Sequence, residues 1–224
     1  MKFYTPNGNE RPIRLSEGTR RFAYDSLERK YGKDTLTTPA VSLDGVEGFD
    51  SRSKIEKYDL AIQTIAAEAP IRICNGEKLS GAATLGLAIR HAVPATFNGE
   101  ALYTSVSHLT TDFETVLKHG LHHIKAKAED AYNRYKGTER EAFANSCLHC
   151  IEAFEIWHGR YLDALRERPE YAANYENLKR VPMEGATNFY EAVQSIWFTF
   201  AFIRLCGNWP GIGRIDYLLG DYLK

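Results

Sequence analysis

The sequence predicts a mainly α fold with a few short strands, and three observations carry that prediction. Most of residues 111–206 read as long helices, with caps, stops and apolar stripes that agree with one another. Residues 71–109 are poor in charge and rich in small residues and glycine, a texture that suits short strands and close-packed loops. The segment "NFYEAVQSIWFTFAFIRLC" is apolar almost all round its helical circumference, so it belongs in the middle of the fold.

The elements follow in chain order. Residues 1–52 read as an irregular arm with a first helix, and 53–224 as a helical body. "SEGTRRFAYDSLERKYG" is a capped helix stopped by Gly32, and "TTPAVSLDGVEGFDS" is a loop with several turn formers. "SKIEKYDLAIQTIAAEAP" is a second helix, ended by Pro70. Any β structure is expected to be concentrated within 71–109. Thr111 and Glu114 have capping-box spacing, and Phe113, Val116, Leu117, Leu121 and Ile124 share a face, so a long helix is predicted over 111–136. Gly120 inside it suits the close approach of a neighbour, and Gly137 is the stop. Thr138 and Glu141 repeat the box. Phe143, Cys147, Cys150, Ile151, Phe154, Tyr161, Leu162 and Leu165 form the next stripe, predicting a helix over 138–168 that packs on its predecessor. "PEYAANYENLKR" is a short helix before the apolar one.

Bulk properties narrow the function. The chain has 224 residues, 44% hydrophobic and 25% charged, with a formal charge of −1. That balance gives no general attraction to nucleic acid or anionic membrane, and neither is expected as a partner. The N-terminus has no apolar core of a secretory signal, and the apolar segment is too short, with Gln194 and Arg204 inside it, to span a bilayer. Cys74, Cys147, Cys150 and Cys206 read as intracellular thiols, and the expected location is cytoplasmic.

Several motifs suggest chemistry. "CLHC" has C-x-x-C spacing but no second pair to complete a zinc site, and both thiols lie on the apolar stripe, so they are expected in the core without metal. "HGLHH" puts His119 and His123 one turn apart without the Glu of H-E-x-x-H, which reads as surface histidines. "GIGR" lacks the further glycine or lysine of a phosphate loop. The bend after the apolar helix, "CGNWPGIGRIDYLL", is the best candidate. Asn208, Trp209, Arg214 and Asp216 cluster there, either as a substrate-binding wall or as a structural corner with Asp216 favouring a helix start.

The same segment carries a family resemblance. Phe189 or Tyr190, Glu191, Ala192, Gln194, Trp197 and Phe198, then Gly213-Arg214-Ile215-Asp216, resemble the aromatic-x-E-A-x-Q and G-R-x-D steps of pyruvate formate-lyase-like glycyl radical enzymes. "NGEKLSG" resembles the family's G-E-x-hydrophobic-x-G step. His108, Asp112, Phe113, Val116, Leu117, Gly120 and Leu121 resemble its G-H-x-x-P-D-Y-x-x-V-L-x-x-G run, with Ser107 and Thr111 in place of the usual Gly and Pro. The three elements occur in family order over about residues 60–224.

The resemblance implies the largely helical N-terminal part of a ten-stranded β/α barrel in an oxygen-sensitive lyase or transferase of anaerobic metabolism. In such an enzyme a radical S-adenosylmethionine activase installs a glycyl radical, which generates a thiyl radical on a cysteine and so cleaves C–C or C–O bonds. Neither the G-C-x-E-like loop nor the R-V-x-G-aromatic loop occurs in these residues; "RVPMEG" misplaces its glycine and Cys206 ends a helix. The expectation is therefore an N-terminal portion that binds no cofactor itself and is inactive alone. In the full-length enzyme its partners are a small-molecule substrate and the activase, with a homodimer as one assembly. Asn208 and Trp209 stand where diol-dehydratase-like members carry His and Ser, so a glycerol or choline type of substrate is not implied. The alternative is a non-catalytic helical scaffold or partner subunit.

Overall fold

A computed structural model describes residues 16–28, 30, 40–81, 93, 95–102, 109–208 and 210–223. Helix α1 spans Glu17–Leu27 and opens where Ser16 Oγ accepts the Thr19 N–H at 3.2 Å; its expected stop, Gly32, lies outside the described residues. Helix α2 spans Lys54–Glu68. It starts with a full capping box, in which Ser53 Oγ accepts the Glu56 N–H and Glu56 accepts the Ser53 N–H.

The β structure is a three-stranded sheet of β1 (Val41–Ser42), β2 (Ala95–Phe97) and β3 (Glu100–Ala101), in that order. β2 and β3 are antiparallel across Asn98 and Gly99, both at positive φ, the geometry of a primed hairpin turn. β1 pairs parallel with β2 through Val41–Ala95 and Ser42–Thr96. Two of the three strands lie within 71–109, where β structure is expected to concentrate, and β1 lies outside it. A two-residue strand has no readable alternation, and its partner is more than fifty residues away.

Helix α3 runs Phe113–Tyr135 and α4 runs Glu141–Arg166, against 111–136 and 138–168 expected. Neither Thr box forms. Asp112 is the N-cap of α3, accepting both the Thr115 N–H at 3.1 Å and its hydroxyl at 2.7 Å. A carboxylate at a helix start gains from the dipole as well as from the bond, so it outcompetes the adjacent Thr111. At the second site the Thr138 hydroxyl donates back to the Tyr135 carbonyl, and Glu141 accepts the Gly137 N–H. The chain turns for two more residues before α4 begins.

A 3₁₀ turn (Pro169–Tyr171) leads to α5 (Ala172–Leu178), then α6 (Phe189–Leu205) and α7 (Ile215–Gly220). α6 is central, as its composition demands, with Phe198 and Leu205 fully enclosed. Trp157 of α4 stacks on Phe198 at 4.4 Å between ring centroids, and Phe154 sets its edge on Phe202 at 4.8 Å. The stripe on α4 is correct from Phe154 to Leu165, but Phe143 is 69% exposed and Cys147, Cys150 and Ile151 are only half-buried. The stripe runs off the core near the α3–α4 turn, where Phe143 has no covering element among the described residues. The far face of α6 is partly covered by α7 and the turn after it: Leu218, Leu219 and Tyr222 pack on the cluster of Phe113, Leu117, Ala192 and Ile196.

Gly120 breaks α3 at φ 76, ψ 175. A Cβ there would stand 2.3 Å from the Met183 carbonyl oxygen. The 182–186 segment supplies what the helix loses: Leu121 N–H donates to Pro182 O, His122 N–H to Met183 O, and Ala186 N–H to Leu117 O. The glycine thus allows the expected close approach, and also kinks the helix, which its position in an unbroken stripe did not reveal.

Candidate functional site

The bend begins where α6 ends. Gly207 sits at φ 88, and the Gly207 and Asn208 N–H groups donate to the Arg204 and Ile203 carbonyls, closing the helix in a Schellman turn. The chain then crosses the start of α3. Thr110 and Gly211 form a parallel bridge, with the Gly211 N–H donating to Leu109 O at 3.0 Å. Gly213, at φ 74, lies so close to Thr110 that a Cβ would meet its methyl carbon at 2.8 Å.

The "NGEKLSG" loop is latched to α6. Gln194, with no solvent exposure, pairs with both backbone groups of Ser80: its Oε1 accepts the Ser80 N–H at 2.8 Å and its Nε2 donates to Ser80 O at 2.9 Å. Tyr171 holds the other end of that loop, donating its hydroxyl to Cys74 O and accepting the Gly76 N–H. Glu77 accepts the Cys74 N–H inside the turn. The loop 74–81, the start of α3 and the bend after α6 therefore meet around α6.

The neighbouring motif residue, Glu191, anchors the chain before α6. Arg180 donates to both carboxylate oxygens, at 3.1 and 3.2 Å, and Thr187 donates its N–H and hydroxyl to Oε2. Burial alone would raise this carboxyl, but Arg180 and Thr187 outweigh it and hold it below the ordinary glutamate range. A depressed value in the folded state contributes stability above the unfolded value, and that stability is lost as pH falls through the folded one. Glu191→Gln is expected to cost about 1 kcal/mol at neutral pH, discounting the solvent that reaches Arg180. It should also flatten the acid limb of stability below pH 4.5, the ordinary glutamate value. Urea titrations across that range check both; an unchanged acid limb would remove Glu191 from the account.

The four candidate side chains do not form one cluster. The Asn208 side chain hydrogen-bonds the Tyr58 hydroxyl of α2, whose phenol is raised chiefly by burial. Arg214 and Asp216 form a two-bond ion pair with each other, at 2.8 and 2.7 Å, with side chains 78% and 65% exposed. The guanidinium holds the Asp216 carboxyl down to about 2. Trp209 lies outside the described residues. The bend thus offers one amide turned inward and one paired guanidinium turned outward.

Other motifs resolve differently. His119 and His123 lie with tilted rings, 4.7 Å between centroids, across the Gly120 break, and His122 Nδ1 lies 2.8 Å from Glu184. Burial pushes the Cys150 thiol up to about 12 and raises Cys147 also, so both stay protonated at neutral pH. Among the described residues no group of three His, Cys, Asp or Glu side chains is placed to hold a metal ion. Alkylation of Cys150 by iodoacetamide at neutral pH should run about a thousandfold slower than that of a free thiol. Reaction at the free-thiol rate would contradict this environment.

One cluster escaped the sequence reading. Asp59, 5% exposed on α2, accepts the Ser146 hydroxyl on one oxygen and lies 2.8 Å from His149 Nδ1 on the other. The hydroxyl is directed at the carboxylate and not at the imidazole, so this is no nucleophile–base relay. It cross-braces α2 and α4. Asp59 is 87 and 90 residues from its two partners, and no local pattern marks the pairing.

Residues 88–224, more than half of the chain, match the family model described as pyruvate formate lyase-like. The chain belongs to that family. It is similar to isethionate sulfite-lyases of Bilophila wadsworthia and Desulfovibrio desulfuricans, each 30% identical over 132 aligned positions that take in 50% of this chain and 16% of the relative. Its fold is similar to a B12-independent glycerol dehydratase of Clostridium butyricum (TM-score 0.70, 17% identity), covering 93% of this chain and 36% of that one. It is also similar to the Roseburia inulinivorans protein studied for 1,2-propanediol dehydration (TM-score 0.67, 19% identity; 95% and 35% covered). A glycyl radical enzyme of Archaeoglobus fulgidus aligns at TM-score 0.62 and 18% identity, over 95% of this chain and 35% of that one. The chain therefore spans about a sixth of the curated relatives and about a third of the solved barrels, and it takes the fold of their largely helical part. No described helix is long and apolar enough to cross a membrane.

Proposed function

We propose that these residues form one wall of the small-molecule pocket of a cytoplasmic glycyl radical enzyme, with the bend after α6 facing the substrate. The observation that carries this reading is the meeting of the three family segments, held by the Gln194–Ser80 pairing and the Thr110–Gly211 bridge. It fixes where α6 ends and hence where Asn208 and the Arg214–Asp216 pair stand. Asn208 is the donor and acceptor that would orient a substrate hydroxyl or carbonyl. Arg214 would contribute its remaining N–H groups, with Asp216 setting the plane of the guanidinium.

The radical belongs to the whole enzyme. A glycyl radical supplies hydrogen abstraction there, and an activase would install it. The 224 residues contain neither loop that the family resemblance assigns to radical storage or relay. Burial raises the Cys206 thiol, which suits a packed helix end and not a reactive sulfur. The chain's own contribution is to bind and orient. The named relatives act on isethionate, glycerol and 1,2-propanediol, small hydroxylated molecules, and a small hydroxylated substrate is the class proposed here.

The purified chain, incubated anaerobically with a radical S-adenosylmethionine activase and its cosubstrate, should show no glycyl doublet by electron paramagnetic resonance. A doublet on this chain alone would refute the proposed division of labour.

A further inference from the structure

We propose that Tyr58 of α2 is a positioning residue for Asn208: its hydroxyl holds the Asn208 amide in the one orientation that meets substrate. This role rests on the bend being a substrate wall, and it supplies what keeps that wall rigid. The Asn208 backbone is fixed, because its N–H closes the turn after α6 on Ile203 O at 3.1 Å. That bond leaves the side chain free to sample three staggered wells at χ1 and two broad ones at χ2. An amide turned over at χ2 exchanges its acceptor for its donor, so a loose Asn208 would offer substrate the wrong group as often as the right one. The hydrogen bond with the Tyr58 hydroxyl removes that freedom.

Tyr58 is itself held in place. Its ring packs against the main apolar core, as does Cys206 at the end of α6, so a rigid body carries the hydroxyl to the bend. The next residue, Asp59, ties α2 to α4 through the Ser146 hydroxyl and through His149 Nδ1 at 2.8 Å, which fixes how α2 is turned about its axis. Burial raises the phenol above its ordinary value, so at neutral pH the group is an uncharged hydroxyl that can donate and accept. The cross-brace on Asp59 thus serves the bend through its neighbour in sequence.

The test uses the anaerobically activated assembly of this chain with the rest of a glycyl radical barrel, and reads turnover per radical spin. Tyr58→Phe keeps the ring and its packing and removes only the hydroxyl. With about six orientations then open to the amide, turnover per spin should fall about sixfold. In the Asn208→Ala background the same change should have no further effect, because no amide is left to orient. A packing role would cost as much in one background as in the other. If Asn208→Ala lowers turnover and Tyr58→Phe does not, the positioning role is overturned and the substrate wall stands. Equal losses from Tyr58→Phe in both backgrounds would also overturn it, leaving Tyr58 as a packing residue. Unchanged turnover in Asn208→Ala would sink the substrate wall and the positioning role together.

Discussion

Gly120→Ala should leave little folded protein. The residue sits at φ 76, ψ 175, a backbone region left almost entirely to glycine, where an L side chain costs about 1–3 kcal/mol. The new methyl would also lie 2.3 Å from Met183 O and 2.6 Å from the Glu184 Cα, all backbone. That backbone cannot retreat freely, because the Leu121, His122 and Ala186 N–H groups tie it to both sides of the kink. Relieving the overlap breaks those bonds and parts α3 from the chain leading into α6. The combined cost should exceed about 4 kcal/mol, a large fraction of a domain's stability. Urea unfolding followed by circular dichroism measures it, and a variant within about 1 kcal/mol of the parent would show that the kink is not fixed as described.

The second large effect is expected at Gln194→Leu. Leucine matches the volume but abandons both the Ser80 N–H and the Ser80 carbonyl in a site without solvent. Two buried backbone groups left without partners cost about 3 kcal/mol together. Gln194→Glu keeps the acceptor, loses the donor and sets a carboxylate against the Ser80 carbonyl, so at neutral pH it should be at least as damaging. Loss of protection of the Ser80 amide in hydrogen exchange would locate the damage in the loop 74–81. Full stability in both variants would mean that the latch is incidental.

These two residues show where sequence reasoning reached and where it stopped. The positions of Gly120 and Gln194 stood out as family features, yet nothing local gave Gln194 a partner 114 residues away. Helices were legible because periodicity and stops act within a few residues, and α6 was legible because its composition leaves it no exposed face. The choice of Asp112 over Thr111 as a cap was not, since adjacent residues compete and small energy differences decide. Asn98-Gly99 did carry a hairpin signal that could have placed β2 and β3; β1 had none. Phe143 fits the apolar stripe as well as Phe154 does, and only the missing neighbour distinguishes them. In the bend, the residue types pointed to a polar corner, but the Tyr58–Asn208 contact and the self-pairing of Arg214 with Asp216 depend on geometry across the fold.

The central claim is that the bend lines a substrate pocket. It is tested by supplying the rest of a glycyl radical barrel, with both radical loops, fused or in trans, and activating the assembly anaerobically. Radical yield by electron paramagnetic resonance and turnover are then compared for the parent chain, Asn208→Ala and Arg214→Ala. The account predicts an undiminished glycyl signal with turnover reduced at least about tenfold in each variant, the loss of one well-placed hydrogen bond. Unchanged turnover in both variants, with the radical present, would contradict it and leave the bend as a structural corner.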